Sequence, residues 1–114
     1  VDVTHPPSTG LVYLCDAADV PHDEGLRVRH AELPEAVAVF RDEDGQFRAL
    51  ADLCSHGEAS LAEGWVEGGY VECPLHFSRF DLKTGSPCSL PAMTPVNAYP
   101  VTAVDGKLYL DHSE

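Results

Sequence analysis

Basic residues are scarce in this chain: seven Lys and Arg stand against 19 Asp and Glu, for a formal net charge of −12. Such a surface repels phosphate backbones, so nucleic acid is not an expected partner. It favours salt-sensitive association with proteins that carry basic patches, although acidity of this kind also serves solubility alone. Long apolar runs are missing too. The longest, residues 36–40, falls far short of the roughly 18 residues a membrane-spanning helix needs. The opening Val1-Asp2-Val3-Thr4-His5-Pro6-Pro7 has neither the basic nor the apolar region of a secretory signal, which makes a cytoplasmic protein the expectation. Four cysteines would suffice for two disulfides, but a chain not marked for secretion argues against them. Sustained helical periodicity, internal repeats and low-complexity tracts are also absent.

What is present is short strands and tight turns. The 114 residues suit one domain spanning 1–114, with residues 1–10 as a leader segment. Residues 11–15 read as a first strand, and residues 26–29 alternate apolar and polar. Residues 36–40 and 47–53 flank Asp42-Glu43-Asp44-Gly45, a hairpin signal. A second hairpin joins residues 65–67 and 70–72 through Gly68-Gly69, a pair suited to the positive φ angles of a tight turn. A third joins residues 99–104 and 107–110 through Asp105-Gly106. Residues 83–85 and 87–95 read as loops, and a short helical turn fits near residues 60–63. The expected fold is all-β, a small antiparallel sandwich or barrel.

Two Cys/His pairs fall at equivalent points on that map. Cys54-Ser55-His56 follows the strand that ends the first hairpin, and Cys73-Pro74-Leu75-His76 follows the strand that ends the second. The pattern is Cys-x-His, sixteen intervening residues, then Cys-x-x-His. Two adjacent loops would clamp one metal centre between them. Thiolate and imidazole both bind iron and zinc, so the ligand types alone leave the metal open. Zinc modules usually pair like with like in each arm, whereas each arm here is mixed. A mixed arrangement suits a two-iron centre with both thiolates on one iron and both imidazoles on the other.

Cys54-Ser55-His56-Gly57 and Cys73-Pro74-Leu75-His76-Phe77-Ser78 resemble the two cluster-binding boxes of the Rieske family, and Ser89-Leu90-Pro91-Ala92 resembles its Pro-containing covering loop. The likeness spans about residues 11–111, and residues 54–85 with the third loop and the final hairpin are similar to the free Rieske ferredoxins of bacterial aromatic-ring dioxygenase systems. The resemblance implies one Rieske-type [2Fe-2S] cluster held by Cys54, His56, Cys73 and His76. It further implies a monomeric one-electron carrier and no catalysis by this chain. Electrons would pass from an NAD(P)H-dependent flavin reductase to a terminal Rieske non-haem iron oxygenase that hydroxylates aromatic compounds. Two thiolates cancel the net charge of the oxidised cluster core and neutral imidazoles add none, so reduction is easier than at a four-cysteine site. Rieske potentials accordingly span about −150 to +300 mV.

Two departures from the family's respiratory members matter. The positions of their disulfide-forming cysteines are Ala59 and Leu75 here, and a Tyr near their cluster is Phe80. The first rules out that disulfide and the second, by losing a hydrogen bond, points to the lower part of the Rieske range, although Ser78 matches a position whose hydroxyl reaches the cluster. Three rivals remain: the Rieske domain of an oxygenase, the small subunit of a nitrite reductase, and a structural zinc-binding interaction module.

The other residues have plainer readings. Cys15 is expected as a small buried thiol and Cys88 as a packing residue. His5, His22, His30 and His112 are expected on the solvated surface, and Trp65 and Tyr70 in the core. Phe77 is either a docking contact or a shield for the cluster. Gly57 lets the backbone turn closely around the metal.

Overall fold

The computed structural model describes residues 11–21, 24–53, 59–74, 78–87 and 95–111. The expectations for Cys54, His56, Gly57, Leu75, His76, Phe77, Cys88, residues 89–92 and His5, His22 and His112 fall outside them. Among the described residues, three antiparallel sheets account for the strands. The first orders β1 (Leu11–Asp16), β10 (Lys107–Asp111) and β9 (Val101–Val104) side by side as β1-β10-β9. The second runs β2-β3-β4-β8, from β2 (Leu26–Val28), β3 (Val37–Arg41), β4 (Phe47–Ala51) and β8 (Ala98–Tyr99). The third is β5 (Trp65–Glu67), β6 (Tyr70–Glu72) and β7 (Arg79–Asp81).

The apolar run at residues 36–40 explains the layering. Side chains alternate across a strand, so an unbroken apolar strand must be covered on both faces. Val37 and Val39 of β3 pack with Val12, Leu14, Leu108 and Leu110 in one core cluster. Ala38 and Phe40 turn the other way, into a second cluster with Leu61, Val71, Cys73, Phe80 and Val96. All four β3 residues are fully buried. The middle sheet thus carries a core on each side, and the second core lies beneath the third sheet.

The three hairpins form where their turn residues direct. Gly68 and Gly69 adopt φ of 59° and 94°, and Asp105 and Gly106 adopt 53° and 78°, so both turns have two consecutive left-handed residues. That is the twist a two-residue hairpin needs. The first hairpin is tied by Asp42, whose carboxylate accepts from the Asp44 and Gln46 amides at 2.9 Å each and from Arg48 Nε at 3.1 Å. Burial disfavours the Asp42 charge, but the Gln46 amide, Arg48 and the Asp44 amide more than offset it, so its pKa lies below the usual carboxylate range.

Three features depart from the sequence reading. The strand expected over residues 99–104 is two strands in different sheets, because Pro100 has no N–H to continue a ladder. Tyr99 pairs with Ala49 of the middle sheet, Val101 pairs with Leu110 of the first, and the Pro100 carbonyl accepts from the Asp111 amide at 3.0 Å. Strand β7 was not foreseen, since three residues are too short to show a period. Trp65 and Tyr70 are not core residues: Val66 and Val71 face inward, leaving Trp65 55% exposed and Tyr70 half-buried on the outer face.

Cys15 is buried, as expected, and outside any disulfide. Burial pushes its thiol up to about 11, with Asp19 and Asp16 adding to the effect, so it packs as a neutral thiol. His30 is exposed, its Nδ1 accepting from the Glu32 amide at 3.0 Å.

Candidate metal centre

The residues bracketing three loops are fixed by one shared core. On either side of residues 54–58, the expected first loop, Leu53 and Ser60 form an antiparallel bridge. Asp52, next to that bridge, is only 3% exposed. The Asp52 carboxylate accepts from Ser60 Oγ at 2.8 Å and from the Ala62 amide at 3.0 Å, and pairs with Arg27 Nε at 3.3 Å. Its carbonyl accepts from the Leu61 amide at 2.7 Å, and its amide donates to the Ala36 carbonyl at 2.9 Å. One buried carboxylate therefore joins both ends of the loop to the turn Leu61–Glu63. The sequence reading missed Asp52, although an acid inside the apolar stretch 47–53 was the signal that it needed buried partners.

Cys73 and Pro74 follow β6 and Ser78 precedes β7, on either side of residues 75–77, the expected second loop. The Cys73 amide donates to the Ser78 carbonyl at 2.7 Å, which pins the loop's two ends together. Cys73 is 1% exposed, in the apolar cluster of Val71 and Phe80, and Ser78 is fully buried. Cys73 is not disulfide-bonded. Ala59, which packs against the same cluster, cannot supply the partner sulfur that the respiratory pattern would need.

The third loop, residues 88–94, is bracketed by a bridge between Phe80 and Pro87 and by the Val96 amide, which donates to the Gly85 carbonyl at 2.9 Å. Gly85 holds φ of 76°, and a Cβ there would collide with the Val96 carbonyl, so only glycine fits. Leu61, Cys73, Phe80 and Val96, one or more from the base of each loop, meet in a single core cluster. Among the described residues no three His, Cys, Asp or Glu side chains converge on a metal, and of the four expected ligands only Cys73 belongs to that set. Among the described residues, the buried Cys73 thiol, outside any disulfide, and the buried Ser78, bonded to it through the backbone, fit a sulfur-ligated centre.

Residues 10–100 match the Rieske [2Fe-2S] domain. The chain belongs to the Rieske [2Fe-2S] family. Its cofactor is accordingly a Rieske-type [2Fe-2S] cluster. This Rieske domain is 43% identical over 104 residues to the 3-phenylpropionate/cinnamic acid dioxygenase ferredoxin subunit of Escherichia coli (strain K12), covering 90% of this chain and 94% of that one. It is 45% identical over 106 residues to the ferredoxin component of the p-cumate 2,3-dioxygenase system of Pseudomonas putida, covering 90% and 86%. Among solved structures it resembles a complex of reduced oxygenase and oxidised ferredoxin in carbazole 1,9a-dioxygenase, with a TM-score of 0.80, 35% identity and 91% and 94% coverage. A nitrite reductase small subunit from Mycobacterium tuberculosis, at 22% identity and a TM-score of 0.79, shares the fold alone. The all-β antiparallel fold read from the sequence is the fold of these Rieske ferredoxins.

Proposed function

We propose that this chain is the one-electron carrier of an aromatic-ring dioxygenase system. It takes electrons from an NAD(P)H-dependent flavin reductase and hands them to a terminal Rieske non-haem iron oxygenase. The observation that carries this reading is near full-length identity of 43–45% to two ferredoxin components of such systems. The same likeness separates the carrier from an oxygenase subunit, since the chain covers 86–94% of those relatives. It acts in the cytoplasm, where NAD(P)H is at hand, as a monomer that binds each partner briefly. Among the described residues no helix is long and apolar enough to cross a membrane.

In this reading Cys54 and Cys73 hold one iron through their thiolates, and His56 and His76 hold the other through imidazole nitrogens. When bound, the cluster accepts and releases a single electron. The chain's residues decide how readily. Two thiolates and two neutral imidazoles give a less negative centre than four thiolates, which raises the potential. Val71 and Phe80, which share the core cluster with Cys73, are apolar, and Ser78, whose carbonyl accepts from the Cys73 amide, is a buried hydroxyl residue close to Cys73. A hydroxyl donating toward the centre stabilises the added electron. Ser78→Ala is therefore expected to lower the midpoint potential with the visible spectrum retained. Protein-film voltammetry checks it, and an equal or higher potential removes Ser78 from that role. The carrier reading itself is tested by reductive titration of the holoprotein. One electron per chain is expected, passed on when oxygenase is added; a colourless protein with one zinc overturns it.

A further inference from the structure

The third sheet has two unlike faces. Val66, Val71 and Phe80 point into the core. In the opposite direction point Trp65, Glu67, Tyr70, Glu72, Arg79 and Asp81, as strand alternation requires. Trp65 stands opposite Glu72, and Glu72 opposite Arg79, so these three form one row across the sheet. Glu72 directly precedes Cys73 and Arg79 directly follows Ser78. The row with Trp65 is thus the row nearest the second loop.

The chemistry of that face is specific. Arg79 lies flat along it, its guanidinium 4.9 Å from the Tyr70 ring, donating to Glu72 Oε1 at 3.1 Å and to the Tyr70 hydroxyl at 3.0 Å. Its charge is matched by Glu72, which leaves Glu67 and Asp81 in excess. The chain's single tryptophan sits among these acids at 55% exposure, where a hairpin strand with an apolar inner face could have held any polar residue. Leu53, at 59% exposure, stands at the base of the first loop. Tryptophan is the residue most enriched among the anchors of protein interfaces, and surrounding acids steer a partner of opposite charge.

We infer that the outer face of β5, β6 and β7, with Trp65 as its anchor, is the docking surface for an electron-transfer protein that presents an apolar recess ringed by lysine and arginine. This rests on the carrier reading and names the partner chemistry of the same site. Binding there seats the partner beside the loop that begins at Cys73. Each encounter moves one electron: the carrier is oxidised by one, the acceptor is reduced by one, and no bond forms or breaks.

The test uses the reduced holoprotein with ferric cytochrome c, a basic haem protein with lysines around its haem edge, followed by stopped-flow absorbance. Trp65→Ala is expected to slow the second-order reaction about tenfold, as truncating an anchor does. Glu67→Gln is expected to reduce its dependence on ionic strength. Reaction of Trp65→Ala with ferricyanide, which needs no docking face, keeps the wild-type rate, as do its potential and visible spectrum. Tyr13→Ala, on the exposed part of β1, leaves the cytochrome reaction unchanged. Wild-type rates and salt dependence in both Trp65→Ala and Glu67→Gln overturn the docking surface while leaving the carrier intact. A loaded wild-type protein that reduces neither oxidant overturns the carrier reading instead.

Discussion

Replacing His76 by alanine is expected to give a pale protein that has lost most of its iron. In the proposed ligand set each iron has two protein ligands, and removing one imidazole leaves an iron with a single protein anchor and an open position. His76 would tie that iron to the fold, and no solvent ligand would replace the tether it supplies. The rest of the chain should survive, because the loop's ends are held by the bond between the Cys73 amide and the Ser78 carbonyl, not by the His76 side chain. Cys73→Ala should lose the iron as well and also leave a void in the core cluster it shares with Val71 and Phe80. His30→Ala is the matched control, since His30 is exposed and accepts only a local hydrogen bond from the Glu32 amide. Iron analysis with visible absorption decides it. Full colour in His76→Ala refutes the assignment of that ligand.

Asp52→Ala carries the second large effect, on stability and on cluster retention together. The substitution leaves the Ala62 amide and the Ser60 hydroxyl without the acceptor they share, and strands Arg27 without its partner. Buried donors left unpaired cost about 1–3 kcal/mol each, so a loss of about 3 kcal/mol is expected. Against a total of roughly 5–15 kcal/mol for a domain, that is a large share. Arg27→Ala should cost about 1 kcal/mol or less, because the Arg27 side chain is 56% exposed and its half of the pair is screened by water. Urea unfolding of the two variants should separate them clearly. The Asp52 variant should also release iron faster, since the carboxylate joins both ends of the first loop. Equal stability of the two variants would show that the carboxylate is not the anchor.

The sequence carried the hairpins because their turn residues act locally. Gly68-Gly69 and Asp105-Gly106 impose left-handed angles whatever surrounds them, and the strands on either side follow. The expectation of two loops rests on the same local signals, since each Cys/His pair follows a hairpin in sequence; of its four residues, Cys73 is among those described. What the sequence did not carry depends on contacts across the fold. Pro100 signals a break in a ladder, but not that Tyr99 and Val101 belong to different sheets. Trp65 looks like a core residue by type, and only the register that points Val66 and Val71 inward shows it outside. Asp52 gains its importance from Ser60, Ala62 and Arg27, which are 8, 10 and 25 positions away along the chain. The candidate ligands and Ser78 were legible as residue types at a spacing; the supporting contacts of Asp52 and Gly85 required the structure.

Pulsed electron paramagnetic resonance on the reduced protein, labelled with ¹⁵N only in histidine, bears most directly on the ligand set. Two strongly coupled histidine nitrogens, lost one at a time in His56→Ala and His76→Ala wherever cluster remains, are the expected outcome. A reduced cluster with no histidine coupling would contradict the mixed thiolate and imidazole site.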